Sequence, residues 1–150
     1  MTQLRYAPAR EEDIPAIFAQ AKAVIDAYED VEHIPYDRVM DWMRRKIAGH
    51  LTEYRRIYRG EELAGYYRFA PAEGKMELDD LYILPAYRGQ GIGSAVLRDC
   101  LAATEKPVFL YVFTRNVRAW ALYERLGFRT VQEVGATRLI LERAGGREAP

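Results

Sequence analysis

The chain has 150 residues, of which 49% are hydrophobic and 29% are charged. This is enough for one ordinary domain with a sizeable core, and it excludes a disordered protein. The 22 basic and 22 acidic residues give a formal net charge of zero, which disfavours a dedicated nucleic-acid binder. The single cysteine, Cys100, excludes an internal disulfide. Because the chain has only this cysteine and two histidines, no metal site is expected.

No segment of the sequence predicts export or membrane insertion. The N-terminal residues lack the apolar core of a signal peptide, and no charge-free run approaches the roughly 18 residues that span a bilayer. We therefore expect a cytoplasmic protein without a membrane partner. Residues 1–144 are predicted to form a single domain, and residues 145–150 a flexible C-terminal tail.

The first half of the chain predicts a strand, two helices and an antiparallel meander. Residues 4–6 predict a short strand, and the acidic residues 11–13 favour the start of a helix. Apolar residues then recur at helical spacing from 14 to 28. A second helix is expected to begin with Asp37 as its N-cap. Alternating polar and apolar residues predict three further strands, at 53–58, 63–70 and 76–84.

The second half of the chain alternates helices and strands. Residues 91–104 predict a helix, and the apolar run 107–114 is typical of a strand covered on both faces. A helix over 116–126 ends at Gly127, and two strands follow at 128–134 and 137–142. The order β-α-α-β-β-β-α-β-α-β-β predicts an α/β fold with one mixed, mostly antiparallel sheet flanked by helices. Its parallel pair is expected between 76–84 and 107–114.

The most informative segment is the loop between the fourth predicted strand and the third helix, Arg88-Gly89-Gln90-Gly91-Ile92-Gly93. Glycines let the backbone approach a ligand, and a helix N-terminus offers unpaired amides, so the loop suits a phosphate. A P-loop is excluded because no Gly-Lys-Ser/Thr follows, and the dinucleotide fingerprint would need a third glycine where Ser94 stands. A glycine-rich loop with a structural role alone is the other interpretation.

The loop matches R/Q-x-x-G-x-G/A, and in this it resembles the GNAT superfamily of acyl-CoA-dependent N-acetyltransferases. A second segment, from Asn116 to Phe128, is similar to the superfamily's N-x-x-A-x-x-x-Y-x-x-x-G-F pattern. The order of elements agrees as well, so the resemblance covers essentially the whole chain. It implies an enzyme of the GNAT fold that moves the acetyl group of acetyl-CoA to a primary amine in a ternary complex. Since dimers are common in the superfamily, a homodimer is a further expectation.

The resemblance implies that acetyl-CoA contacts the end of the fourth strand, the glycine turn and the helix over 116–126. In the superfamily, backbone amides of the turn bind the pyrophosphate, and an amide at the strand end stabilises the oxyanion. An asparagine that opens a helix is also a good N-cap, so the role of Asn116 stays open. The residues expected to bind the cofactor are Leu81, Tyr82, Ile83, Arg88, Gly89, Gln90, Gly91, Ile92, Gly93, Ser94, Asn116, Ala119 and Tyr123.

Acetyl transfer requires a proton for the departing thiolate and a base for the amine. The resemblance points to Tyr123 as the acid. A phenol with a pKa near 10 can give a proton to a departing thiolate, whose conjugate thiol has a pKa near 8.5. A core aromatic is the alternative role for Tyr123. The fourth strand resembles that of spermidine/spermine N-acetyltransferases, which favours Asp79, then Asp80, then Glu77 as the base. Alternation separates Asp80 from the other two unless a β-bulge shifts the phase.

The three acids favour a small cationic amine as the substrate. Tyr28, Tyr36 and Tyr66 are the candidate walls of the amine site, and the acidic residues of 26–32 could line its entrance. Two alternatives stay open: a catalytically silent acyl-CoA sensor or scaffold, and an enzyme that acetylates a protein lysine or N-terminus. Fold analogy alone does not name the amine.

Overall fold

The computed structural model describes residues 3–145, and the predicted order of strands and helices is confirmed in them. The elements are β1 Leu4–Pro8, α1 Ile14–Tyr28, α2 Tyr36–Gly49, β2 Tyr54–Arg59, β3 Glu62–Ala72, β4 Lys75–Ile83, α3 Ile92–Ala102, β5 Val108–Phe113, α4 Val117–Arg125, β6 Arg129–Val134 and β7 Arg138–Arg143. Apart from Gly145, the tail predicted at 145–150 lies outside the described residues. Within residues 3–145, no helix has the length and apolar character needed to cross a membrane.

The strands follow the order β1-β2-β3-β4-β5-β7-β6 in one seven-stranded sheet. The pairs β1/β2, β2/β3, β5/β7 and β6/β7 are antiparallel. The pair β4/β5 is parallel, with Met76 opposite Val108 and Glu77 opposite Phe109. The mixed, mostly antiparallel sheet and its expected parallel pair are therefore confirmed, as the helical crossover between β4 and β5 requires.

Within residues 3–145, the chain divides into two compact units, one made of residues 3–68 and 80–93 and the other of residues 69–79 and 94–145. In the first unit, the core draws on both helices and on β2 to β4, through Ile17, Ala21, Met40, Met43, Ile47, Tyr54, Tyr66 and Tyr82. In the second unit, α3, β5 and β7 contribute the buried side chains Val96, Leu97, Cys100, Val108, Leu110, Val112, Leu139 and Leu141.

Two local predictions were wrong. Helix α2 begins at Tyr36 with Pro35 as its N-cap residue, so Asp37 lies in the first turn, where the helix dipole still favours its charge. Strand β5 is not covered on both faces: its burial alternates, and Tyr111 is 45% exposed. The Arg138 guanidinium lies over the Tyr111 ring, 5.5 Å from its centroid. An aromatic ring with a polar tip tolerates such an exposed position better than an aliphatic side chain does.

A buried carboxylate ties together the start of α1 and two strands of the first unit. Asp13 is 4% exposed and accepts hydrogen bonds from Arg56 Nε at 2.7 Å, the Tyr66 hydroxyl at 3.0 Å and the Arg10 amide at 2.8 Å. Arg56 also donates to the Tyr58 hydroxyl at 3.0 Å. Burial alone would raise the Asp13 pKa, but these donors outweigh it and lower the pKa below its usual value.

Asp13→Ala is expected to lower the free energy of unfolding by about 3–5 kcal/mol at neutral pH, because it leaves the largely buried Arg56 guanidinium without its nearest carboxylate. The Arg56 side chain is 14% exposed, and its other carboxylate, Glu12, lies at 3.7 Å but is 69% exposed, so Glu12 compensates little. Urea denaturation measures the difference, with Asp13→Asn as the control that keeps an acceptor oxygen without the charge. An Asp13→Ala variant within about 1 kcal/mol of the wild type would contradict this role.

The same network predicts a pH dependence of stability. Because the folded pKa of Asp13 is lowered, its contribution is present above the unfolded value of about 4 and is lost as the pH falls through the folded pKa. The stability gap between wild type and Asp13→Ala should therefore narrow as the pH falls below about 4. A gap that stays constant across that range would show that the carboxylate charge plays no part.

Candidate active site

One carboxylate of β4 lies in a cluster of polar groups within the first unit. Asp80 accepts a hydrogen bond of 2.5 Å from the Tyr54 hydroxyl and one of 2.7 Å from the Tyr82 hydroxyl. Lys46 Nζ of α2 lies 3.8 Å from Asp80 Oδ2, the oxygen that accepts from Tyr54. Both side chains are largely buried, at 15% exposed for Asp80 and 19% for Lys46. Two phenol donors and an ammonium group stabilise the charged carboxylate at this position.

The backbone at Asp80 explains how its side chain reaches this cluster. Asp80 has a φ of +65°, a left-handed conformation that is uncommon for a residue with a side chain and that aspartate tolerates better than most. The simple alternation expected along β4 is therefore interrupted at Asp80, which is the change of phase that a bulge would produce. The other two candidate bases, Glu77 and Asp79, belong to the second unit and are partly buried.

The glycine turn after β4 has the backbone geometry that its sequence predicts. Gly89 has a φ of +74° and Gly91 one of +78°. A Cβ at either position would meet nothing within 4 Å, so glycine is required there for its left-handed backbone and not for lack of space. Helix α3 begins immediately afterwards at Ile92, and its first amides have no partner inside the helix.

Arg88 is held by other parts of the first unit. Its Nε donates to the Ile83 carbonyl at 2.9 Å, which joins the glycine turn to the end of β4. A second guanidinium nitrogen lies 3.4 Å from the Gln20 side-chain oxygen of α1, and Gln90 donates to the Ala86 carbonyl at 3.3 Å. These contacts fix the path of the turn, and Ile92, 4% exposed, anchors its far end.

The second unit contains the predicted acid on α4. Tyr123 packs its ring 5.9 Å from that of Phe128. Although part of the residue is exposed, burial raises the pKa of its phenol to about 12, so the phenol keeps its proton at neutral pH. Asn116 caps α4, with its side-chain oxygen accepting from the Ala119 amide at 3.4 Å. The N-cap role that the sequence left open is therefore present, and the side-chain NH₂ of Asn116 is a separate donor.

The three tyrosines predicted to line the amine site occupy different environments in the first unit. Tyr66 is 2% exposed and donates to Asp13, so its position favours a role in the core and not in a binding wall. Tyr36 is partly exposed and donates to Asp26 at 2.6 Å. Tyr28 is partly exposed at the end of α1. Asp26 also accepts from Lys22 at 2.7 Å, which offsets the negative charge expected at an entrance.

Three residues of these clusters were missed in the sequence. Tyr54 and Lys46 contact Asp80 from elements far away in the chain. No local sequence pattern pairs either residue with Asp80. Trp120, three residues before Tyr123 on α4, has a buried indole nitrogen without a hydrogen-bond partner among the described residues. The signal available in the sequence was a tryptophan on the same predicted helix as Tyr123.

Comparison with known proteins gives a match to one family. Residues 18–128 match the sequence model of the acetyltransferase (GNAT) family. A mycothiol acetyltransferase of Nocardia farcinica is 38% identical over 74 residues, which are 49% of this chain and 24% of that protein. A thialysine N-epsilon-acetyltransferase of Bos taurus is 36% identical over 73 residues, 45% of this chain and 43% of that protein. The match thus spans less than half of either relative's length.

A solved structure extends the likeness of the fold to nearly the whole chain. The PaiA N-acetyltransferase of Thermoplasma acidophilum, in complex with coenzyme A, is similar with a TM-score of 0.69 at 18% sequence identity. The similarity covers 95% of this chain and 99% of that one.

Proposed function

The chain belongs to the acetyltransferase (GNAT) family, and we propose that it transfers the acetyl group of acetyl-CoA directly to a small primary amine. The observation that carries this proposal is the glycine turn, where Gly89 and Gly91 have left-handed backbone immediately before α3. Such a turn presents backbone amides and the positive end of a helix dipole to an anion.

The residues around the turn suit the diphosphate of acyl-CoA. The segment from Pro85 to Arg98 contains no acidic residue and includes Arg88, so no carboxylate opposes a bound anion there. When bound, acetyl-CoA supplies an acetyl group activated as a thioester. We propose that the turn and the first amides of α3 hold its pyrophosphate.

We propose Tyr123 as the general acid and Asp80 as the general base. The Tyr123 hydroxyl holds a proton at neutral pH, as a donor to a departing thiolate must. The Asp80 carboxylate would take the proton of the amine, directly or through the hydroxyl of Tyr54 or Tyr82 that donates to it. A base is needed because a primary amine with a pKa near 10.4 is mostly protonated at pH 7.

Direct attack is also supported by the state of the cysteine. Cys100 is 5% exposed on α3, and burial raises the pKa of its thiol to about 12. A reactive cysteine needs a thiolate and access to the substrate, and Cys100 offers neither. The acetyl group would therefore pass to the amine without a covalent acetyl-enzyme stage.

We expect the amine substrate to be small and cationic because of the acidic residues near the proposed site. Two of these acids have basic neighbours. Lys46 lies beside Asp80 and Lys22 beside Asp26. The bovine relative is named for the ε-nitrogen of thialysine, which makes side-chain amines of this type reasonable first candidates. A cytoplasmic location and a homodimer remain predictions from the sequence.

A panel of amines tests the proposed reaction. Release of free CoA thiol from acetyl-CoA is measured with polyamines, thialysine, neutral amines, anionic amino acids and a lysine-containing peptide. We expect the small cations to give the highest kcat/KM. Faster reaction of anionic or neutral amines would overturn the cationic class, and a clear preference for the peptide would favour protein acetylation. Only a failure of every amine would favour a silent acyl-CoA-binding protein.

A further inference from the structure

Lys46 places a positive charge beside the proposed base. Its Nζ lies 3.8 Å from Asp80 Oδ2, and both side chains are largely buried. The hydroxyls of Tyr54 and Tyr82 donate to the same carboxylate. The carboxylate of Asp80 is thus approached from three elements of the first unit, by hydroxyls from β2 and β4 and by an ammonium group from α2.

The Lys46 ammonium group has a second attractive neighbour. At 3.8 Å, Nζ and Oδ2 are within reach of an ion pair, but charge-assisted hydrogen bonds between such groups are about 2.7–2.9 Å long. The same Nζ lies 5.5 Å from the centre of the Trp42 ring, one turn earlier on α2. The face of a tryptophan ring attracts a cation at this distance. The position of the ammonium group therefore does not depend on Asp80 alone.

An ammonium group beside a carboxylate has two effects on a base that must accept a proton from a cation. It favours the charged form, since an opposite charge within about 4–6 Å lowers the pKa of a carboxyl by about 1–3. It also cancels part of the negative charge that would attract a second cation. Such a base works down to a lower pH but binds a cationic amine less tightly.

We infer that Lys46 is a positioning residue of the reaction: its ammonium group keeps Asp80 charged until the amine binds, and the substrate's ammonium group then replaces it beside the carboxylate. The inference rests on the proposed function, in which Asp80 takes the proton of the amine. The four-carbon stem of lysine is flexible, so Nζ can move toward Trp42 while the amine lies beside Asp80. Lys46 thereby sets both the lowest pH at which the base works and the affinity for cationic amines.

Matched variants separate the charge of Lys46 from its packing. Lys46→Met keeps an unbranched side chain without the charge, and Lys46→Arg keeps the charge. Lys75→Met removes a charge from a lysine that pairs with Glu142 in the second unit. For each variant, kcat and KM are measured with thialysine and spermidine from about pH 4.5 to 9. Carbon-13 NMR follows the titration of the Asp80 carboxyl, with Asp80→Asn to assign its signal.

Lys46→Met should move the acidic limb of kcat/KM and the titration midpoint of Asp80 together, to higher pH by about 1. At about pH 8, where Asp80 is charged with or without Lys46, the KM for both amines should fall by about 2- to 10-fold, with kcat within about 3-fold of the wild type. Lys46→Arg should restore values near those of the wild type, and Lys75→Met should change neither constant by more than about 2-fold. If Lys46→Met does not fold, Lys46→Gln makes the same test with a polar side chain.

The outcomes distinguish this inference from the proposed function. An acidic limb and a KM that Lys46→Met leaves unchanged overturn the role of Lys46, while acetyl transfer stands. A KM that rises would mean that Lys46 holds the substrate, which overturns its displacement. A carboxyl titration that moves while the acidic limb stays makes Lys46 only a structural partner of Asp80 and also overturns the inference. If the wild type acetylates no amine of the panel, the proposed function fails and this inference fails with it.

Discussion

Tyr123→Phe is expected to lower kcat by about 10²- to 10⁴-fold while leaving the affinity for acetyl-CoA nearly unchanged. The substitution removes the hydroxyl and keeps the ring that packs 5.9 Å from Phe128, so the fold should persist. Without the phenol, the thiolate must depart unprotonated or take its proton from water. Steady-state kinetics with a saturating amine, together with calorimetric binding of acetyl-CoA, measures the two quantities separately.

Tyr111→Phe is the matched control for this substitution. Tyr111 is 45% exposed on β5, and the loss of its hydroxyl should change kcat by less than about 2-fold. A Tyr123→Phe enzyme with the turnover of the wild type would remove the phenol from the mechanism. A large loss of acetyl-CoA affinity without a loss of kcat would make Tyr123 a binding residue instead.

The pKa of Tyr123 adds a dependence on pH. The donor is the protonated phenol, and burial raises its pKa to about 12. The contribution of Tyr123 is therefore fully present below that value and is lost only as the pH rises through it. The wild-type rate should show no descending limb below about pH 11, as far as the protein stays folded. A descending limb near pH 8–9 would contradict a phenol with this pKa.

Asp80→Asn is expected to lower kcat/KM for the amine by about 10²- to 10⁴-fold at neutral pH. Asparagine fits the left-handed backbone of Asp80, whose φ is +65°; its oxygen can accept from one of the two tyrosine hydroxyls, and its NH₂ can donate to the other. What it cannot do is take a proton from the amine. The deficit should shrink as the pH approaches the amine's own pKa of about 10.4, because the amine then deprotonates without help.

Asp79→Asn and Glu77→Gln are the controls, since they make the same change at the neighbouring candidates. Both should stay within about 10-fold of the wild type in kcat/KM. A larger loss in Asp79→Asn than in Asp80→Asn would identify Asp79 as the base, as the order of preference from the sequence has it. Equal rates in all three variants would mean that no carboxylate of β4 takes the proton.

The parts of the fold that local sequence determines were predictable. The order of elements follows from periodicity and turn residues, and the left-handed backbone of Gly89 and Gly91 follows from the spacing of the glycines. The N-cap at Asn116 and the helix end before Gly127 also depend on neighbours within a few residues. These are the segments that carry the family pattern.

Features that depend on distant partners were not predictable from the sequence. Nothing near Asp80 in the chain indicates that Tyr54 and Lys46 meet its carboxylate. Tyr66 has the same local pattern as a binding-site tyrosine, and only the buried Asp13 shows that its hydroxyl serves the core. The apolar run of β5 could not reveal that one face leaves Tyr111 exposed. In each case tertiary packing decided between two roles that the residue type allows.

Thermal unfolding in the presence of acetyl-CoA tests the central claim most directly, with NAD and ATP as controls. A ligand at 100 times its dissociation constant stabilises the folded state by about 2.7 kcal/mol, which for a chain of this size raises Tm by roughly 5–10 °C. We predict such a rise with acetyl-CoA and none with NAD or ATP. No rise with acetyl-CoA, or a larger one with NAD, would contradict the assignment of the glycine turn to acyl-CoA.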